Sequence, residues 1–170
     1  GDPRSHPIWR DETTALLATQ RLVNLARETG RRIHVLHITT KEEIEYLRDH
    51  TAVASCEATP HHLTMAAPEC YERLGTLAQM NPPVRDANHR AGIWKGIEQG
   101  IIDVLGSDHA PHTLEEKQKT YPASPSGMTG VQTLVPLMLD HVNAGKLSLA
   151  RFVDLTSAGP ARLFNIACKG

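Results

Sequence analysis

Between Asp11 and Thr29 apolar and small residues return at helical spacing: Ala15, Leu16, Thr19, Leu22, Val23 and Ala26 share a side, and Gly30 supplies a stop. The period then changes. "RIHVLHITT", residues 32–40, is dense in β-branched side chains and predicts a strand, after which Thr40 and Glu43 form the box that opens a helix to about His50. Ile44 and Leu47 give that helix its inner side. "TAVASCEA", residues 51–58, predicts a second strand of smaller side chains. A long irregular passage over 59–86 leads to a helix from about Ala87 to Gln99, capped by Asp86, with Ile93, Trp94 and Ile97 on one side. Ile101 to Leu105 predicts the third strand, and "TLEEKQKTYPASPSGMTG" after it reads as a polar loop. Val131, Leu134, Val135 and Met138 stripe a further helix, Ser148 caps a shorter one, and Pro160 suits the first position of the last.

Strands alternating with helices, and strands apolar almost throughout, indicate an α/β fold with a parallel sheet covered on both faces. Periodicity does not separate a barrel from a doubly wound sheet, so the residues at the strand ends must. Composition narrows the function. In 170 residues, 18 Lys plus Arg stand against 19 Asp plus Glu, which provides no basic footprint for nucleic acid. No apolar run approaches the roughly 20 residues that span a bilayer. Cys56, Cys70 and Cys168 form no CxxC pair and suit reduced thiols, so a cytoplasmic location is expected.

The chemistry gathers where strands stop. "IIDVLGSDHAPHT" runs from aliphatics into Gly106 and Ser107, then sets Asp108, His109 and His112 around a proline. A buried strand that delivers a carboxylate and imidazoles at its C-terminal end is how an α/β barrel builds a site. A carboxylate closing an apolar strand must be hydrogen-bonded, paired or metal-bound. If Asp108 holds a metal through one oxygen, the other is free to take and return a proton. In "HVLHITT", His34 and His37 point to opposite faces of a strand, and His37, at the C-terminal end, is the ligand candidate. Glu57 ends the second strand, with His61 and His62 just beyond as supporting candidates. Asn81 and Arg85 flank a stiff double proline, and the Arg85 fork suits a carboxylate. GxGxxG, Walker A, HExxH and GxSxG motifs are absent, which removes the main support for nucleotide and serine-hydrolase readings.

In order along the chain, "HVLHITTKEEI", "CEATPHHL", "NPPVR", "DVLGSDHAPHT", "SPSGMTGVQT" and "GPARLFNI" resemble the C-terminal part of the catalytic barrel of the dihydroorotase family, in the cyclic-amidohydrolase superfamily. The resemblance covers essentially the whole chain. It implies a partial metal-dependent (β/α)8 barrel, strands six to eight with flanking helices over 1–163, and a return toward a small β-domain over 164–170. It implies His37 and Asp108 as metal ligands, with Asp108 also the proton carrier. It further implies His112 on the substrate carboxylate, Asn81 near the substrate ring, and a loop around Ser126 and Gly127 that meets the ring through its backbone. Arg85 carries over as a further substrate contact, Glu57 and His61 as supporting groups. Zinc is the implied cofactor, as one or two ions, and other divalent metals suit the same donors.

The implied reaction interconverts L-dihydroorotate and N-carbamoyl-L-aspartate in pyrimidine biosynthesis, on a small anionic substrate. Hydantoinase or allantoinase-like hydrolysis is one alternative, and a non-catalytic structural partner of aspartate transcarbamoylase is another. A homo-oligomer is expected, and association with aspartate transcarbamoylase fits the same resemblance. The family's first-strand His-x-His, fourth-strand bridging group and fifth-strand histidine find no match in these residues, so the 170 residues alone are expected to be inactive.

Overall fold

The computed structural model describes residues 1–170. Three short strands, β1 (Ile33–Val35), β2 (Ala54–Ala58) and β3 (Val104–Leu105), lie parallel in the order β1-β2-β3. Ile33 stands opposite Ala54 and Val35 opposite Cys56; Glu57 stands opposite Val104 and Ala58 opposite Leu105. Parallel neighbours need crossovers, and helices supply them. α1 (His6–Trp9) and α2 (Glu12–Thr29) precede β1, and α3 (Lys41–Arg48) joins β1 to β2. α4 (Pro60–Thr64), α5 (Glu69–Leu74) and α6 (Ala87–Glu98) lie between β2 and β3. After β3 come α7 (Leu114–Lys117), α8 (Val131–Asn143), α9 (Leu149–Val153), a π turn over Asp154–Ala158, and α10 (Gly159–Leu163). Residues 164–170 form turns and no strand.

The sheet has two unlike faces because side chains alternate along a strand. Val35, Ala54, Cys56 and Ala58 enter a buried cluster with Ile44 and Leu47 of α3, Ile93 and Ile97 of α6, and Met138, Phe152 and Leu155. The other face is polar. His34 donates from Nε2 to Glu57 at 3.3 Å, and its Nδ1 takes the Ser55 hydroxyl at 2.8 Å. α3 and α6 approach closely because α6 offers glycines: a Cβ on Gly92 would collide with Lys41, and one on Gly96 with Ile44. A second, smaller cluster of Cys70, Tyr71, Ala78, Met80 and Val84 sits under the double-proline turn.

The helix expectations at Asp11, Thr40, Asp86 and Ser148 are met, each of those side chains accepting a hydrogen bond from the first turn it caps. The strands are shorter than their apolar runs. β1 stops because His37 adopts a left-handed backbone, φ 35°. β3 loses Ile101 and Ile102 because both amide groups donate to Gly96 O at the end of α6, at 2.9 and 3.2 Å. The passage over 59–86 is not irregular: Thr59 caps α4 with Pro60 at its first position, α5 follows, and a 3-10 turn covers Gly75–Ala78. The polar loop likewise holds α7, opened by a Thr113 and Glu116 capping box. Two apolar stripes are displaced. Leu22 is exposed on α2, and on α8 Val131 and Val135 are exposed while Met138 and His141 are buried.

Candidate functional site

The C-terminal ends of β1 and β3 carry His37 and Asp108, and both residues have positive φ, 35° and 43°. For side chains with a Cβ this conformation is uncommon and costs energy, so the surrounding structure must impose it. His37 stands apart from the other histidines. Each of the other nine of the chain's ten has a hydrogen-bond partner in the chain, and His37 has none. Asp108 also accepts no hydrogen bond, although it is half-buried. An imidazole and a carboxylate with free lone pairs thus face the same end of the sheet.

The remaining expected residues fall into two groups. His37, Asn81 and Arg85 line one cleft of about 660 Å3, walled by Trp9, Pro82 and Pro83. Asn81 is held from below: His6 Nε2 donates to Asn81 Oδ1 at 3.1 Å and to Met80 O at 3.0 Å. Asn81 is exposed in the cleft, and its amide nitrogen has no hydrogen-bond partner in the chain. His6 is buried, and burial lowers its pKa, so the neutral ring is the form that makes these bonds. Arg85 does not offer its fork to the cleft. Its nitrogens donate to Pro7 O, Arg10 O, Asp11 O and Thr39 Oγ1, fastening the N-terminal segment to the double-proline turn. No ion pair joins Arg85 to Asp108.

The second group follows β3. His112 Nε2 donates to Ser126 O at 3.3 Å, and Gly127, at φ 151°, lies so close to Ala110 and His112 that a Cβ there would collide with both. His109 is turned to structure rather than chemistry: its Nδ1 accepts the Gly130 amide at 3.0 Å, at the start of α8. The groups meet at Gln79, two residues before Asn81, whose carbonyl accepts the Gly127 amide at 2.9 Å.

The supporting candidates are placed as follows. Glu57 reaches His34 and Gly106, not His37. His61 is buried, donates from Nε2 to Thr129 O at 2.9 Å, and leaves Nδ1 without a partner. His62 is buried between the Thr59 hydroxyl at 2.8 Å and Pro82 O at 3.1 Å, and burial drives its pKa down to about 3. Two residues the sequence reading passed over, His6 and Lys117, hold the site's loops through backbone carbonyls. The only signal for Lys117 was its place as the last residue of a T-x-x-E-initiated turn.

No protein-family model matches the chain. Curated relatives do. A dihydroorotase of Halobacterium salinarum is 38% identical over 169 residues, covering 99% of this chain and 39% of that protein. A dihydroorotase of Methanosphaera stadtmanae is 39% identical over 163 residues, covering 95% of this chain and 37% of that protein. The chain therefore spans well under half the length of the curated relatives it matches. Among solved structures, an L-hydantoinase from Arthrobacter aurescens superposes with a TM-score of 0.84 at 35% identity, over 89% of this chain and 35% of that one. A D-hydantoinase from a Thermus species superposes with a TM-score of 0.90 at 27% identity, over 99% of this chain and 39% of that one.

Proposed function

We propose that this chain, a relative of the dihydroorotases over essentially its whole length, supplies three consecutive strands of a (β/α)8 barrel to an enzyme that hydrolyses a cyclic amide. The substrate pair is L-dihydroorotate and N-carbamoyl-L-aspartate, in pyrimidine biosynthesis. Residues 1–163 belong to that barrel and 164–170 lead away from it. The observation that carries the reading is the pair His37 and Asp108, both forced to positive φ at the same end of the sheet and both without a partner.

The pair fits a metal. Imidazole nitrogen and carboxylate oxygen are donors that zinc accepts, and other divalent ions accept them too. No cluster of three or more donor side chains forms within the chain, so His37 and Asp108 would be two ligands of a larger set. A bound divalent ion supplies Lewis acidity toward the ring carbonyl. The chain's own residues do the rest. The second oxygen of Asp108 takes a proton from the attacking water and delivers it to the departing ring nitrogen. Asn81, its oxygen tied to His6, presents an N–H to a ring carbonyl. His112, exposed and weakly held by Ser126 O at 3.3 Å, turns to the substrate carboxylate. Arg85 acts through the N-terminal segment that walls the cleft.

The test uses the protein carrying this chain at its natural length, wild type beside Asp108→Asn, assayed with L-dihydroorotate and with 5-substituted hydantoins. Wild type is expected to open dihydroorotate, and the variant to lose about 10²–10⁴-fold in kcat while metal analysis shows the ion retained. Opening of hydantoins alone moves the assignment to a hydantoinase, the activity named for the solved neighbours. A metal-replete wild type inert toward both points to a structural partner of aspartate transcarbamoylase.

A further inference from the structure

Lys117, the last residue of α7, is only 5% exposed, yet it joins no ion pair. Its Nζ donates to three backbone carbonyls: Gln79 at 2.9 Å, Pro125 at 2.9 Å and Gly127 at 3.0 Å. Three acceptors match the three hydrogens of an ammonium, whereas a neutral amine has two. The cage is reinforced around it. Thr76 Oγ1 and Ser124 Oγ donate to Lys117 O, at 2.5 and 3.2 Å. Gln79 Nε2 donates to Ser124 O at 2.9 Å and to Ser126 Oγ at 3.1 Å.

The consequence falls on Ser126. With the carbonyls on either side, Pro125 O and Gly127 O, turned to the lysine, the Ser126 amide is left without a partner in the chain beside His112. The far end of the same loop is tied separately, Thr129 O to His61 and the Gly130 amide to His109. We propose that Lys117 is a positioning residue: it sets the peptide orientation of the Ser126–Gly127 loop, so that the Ser126 amide and His112 together receive the substrate. The inference rests on the cyclic-amide reading of the site. Lys117 itself touches no substrate.

Two variants test it in the natural-length protein. Lys117→Met keeps the stem and deletes the ammonium. Gln79→Leu cuts the second tether to the loop, the bonds from Gln79 Nε2, while the Gln79 backbone carbonyl that accepts from Lys117 and Gly127 is kept. Amide hydrogen exchange over 125–130 is measured first and is expected to quicken in both variants. Steady-state kinetics should then show KM for dihydroorotate raised about tenfold by Lys117→Met, less by Gln79→Leu, with kcat within about twofold of wild type. Unchanged exchange, or quicker exchange with KM unmoved, overturns the proposal. Should Lys117→Met fail to fold, Gln79→Leu decides by the same two readings. A wild type that opens no cyclic amide condemns the activity reading, and the exchange measurement still settles whether the lysine anchors the loop.

Discussion

His62 shows how a single buried ring ties stability to pH. Its ring is fully enclosed and its pKa falls to about 3, against 6.5 in the unfolded chain. The unfolded state therefore binds the extra proton between those values, so this contribution is complete above pH 6.5 and is lost as pH falls toward 3. The unfolding free energy from urea titration is expected to drop across that window, by up to about 1.4 kcal/mol per pH unit, with a shallower decline in His62→Asn. The thiols offer a second check. Burial raises the pKa of Cys56 and Cys70, while Cys168 is exposed, so titration of the native chain with a thiol reagent should show one fast-reacting group and two that respond only after unfolding. What the sequence revealed at this scale was place rather than cause. His37 and Asp108 could be singled out because each follows an apolar strand, but their positive φ could not be foreseen, since no residue type there demands it. The roles of His6 and Lys117 left no pattern beyond the capping box that precedes the lysine, because their partners are carbonyls, which every residue possesses.

Helix starts were the most legible elements, because a cap needs only residues three positions apart. Thr40 and Glu43 announced α3, yet the glutamate does more than close a box. Buried at 5% exposure, Glu43 accepts from the hydroxyls of Thr19 and Thr40 and from the amides of Thr39 and Thr40, joining α2 to the end of β1. Glu43→Gln turns one acceptor into a donor facing donors, and should lower unfolding free energy by about 2 kcal/mol in urea titration. The same T-x-x-E signal at Thr113 marks α7 inside what composition presents as a loop. Strand lengths were less legible. Ile101 and Ile102 have strand propensity, but their amide groups are claimed by Gly96 O, a tertiary arrangement with no local signature. Gly92 is a further case: its place on α6 matters because α3 lies against it, and Gly92→Ala should cost about 1–3 kcal/mol by pushing Lys41 aside.

Across the whole molecule, α/β alternation and the parallel order of strands followed from the sequence, because short aliphatic runs separated by helical ones are joined by crossovers, which leave neighbouring strands parallel. The cleft did not, for its walls come from residues near 10, 37 and 82. In a sheet of three strands, β1 and β3 each keep one unpaired edge, and Leu36, Trp9, Val131 and Leu149 are more than half exposed. Edges and apolar surface of this kind recruit partners, so the 170-residue chain is expected to self-associate, and a monodisperse monomer in light scattering would refute that. Finally, the two residues that hold the proposed chemistry are also among the poorest fits to their own backbone. Glycine at either position relieves a left-handed conformation that costs roughly 1–2 kcal/mol. A laboratory selection for heat resistance alone would therefore be drawn to His37→Gly and Asp108→Gly early, and would accumulate sturdier proteins stripped of both proposed metal ligands. Breeding this protein for endurance requires that those two positions be locked before the search begins.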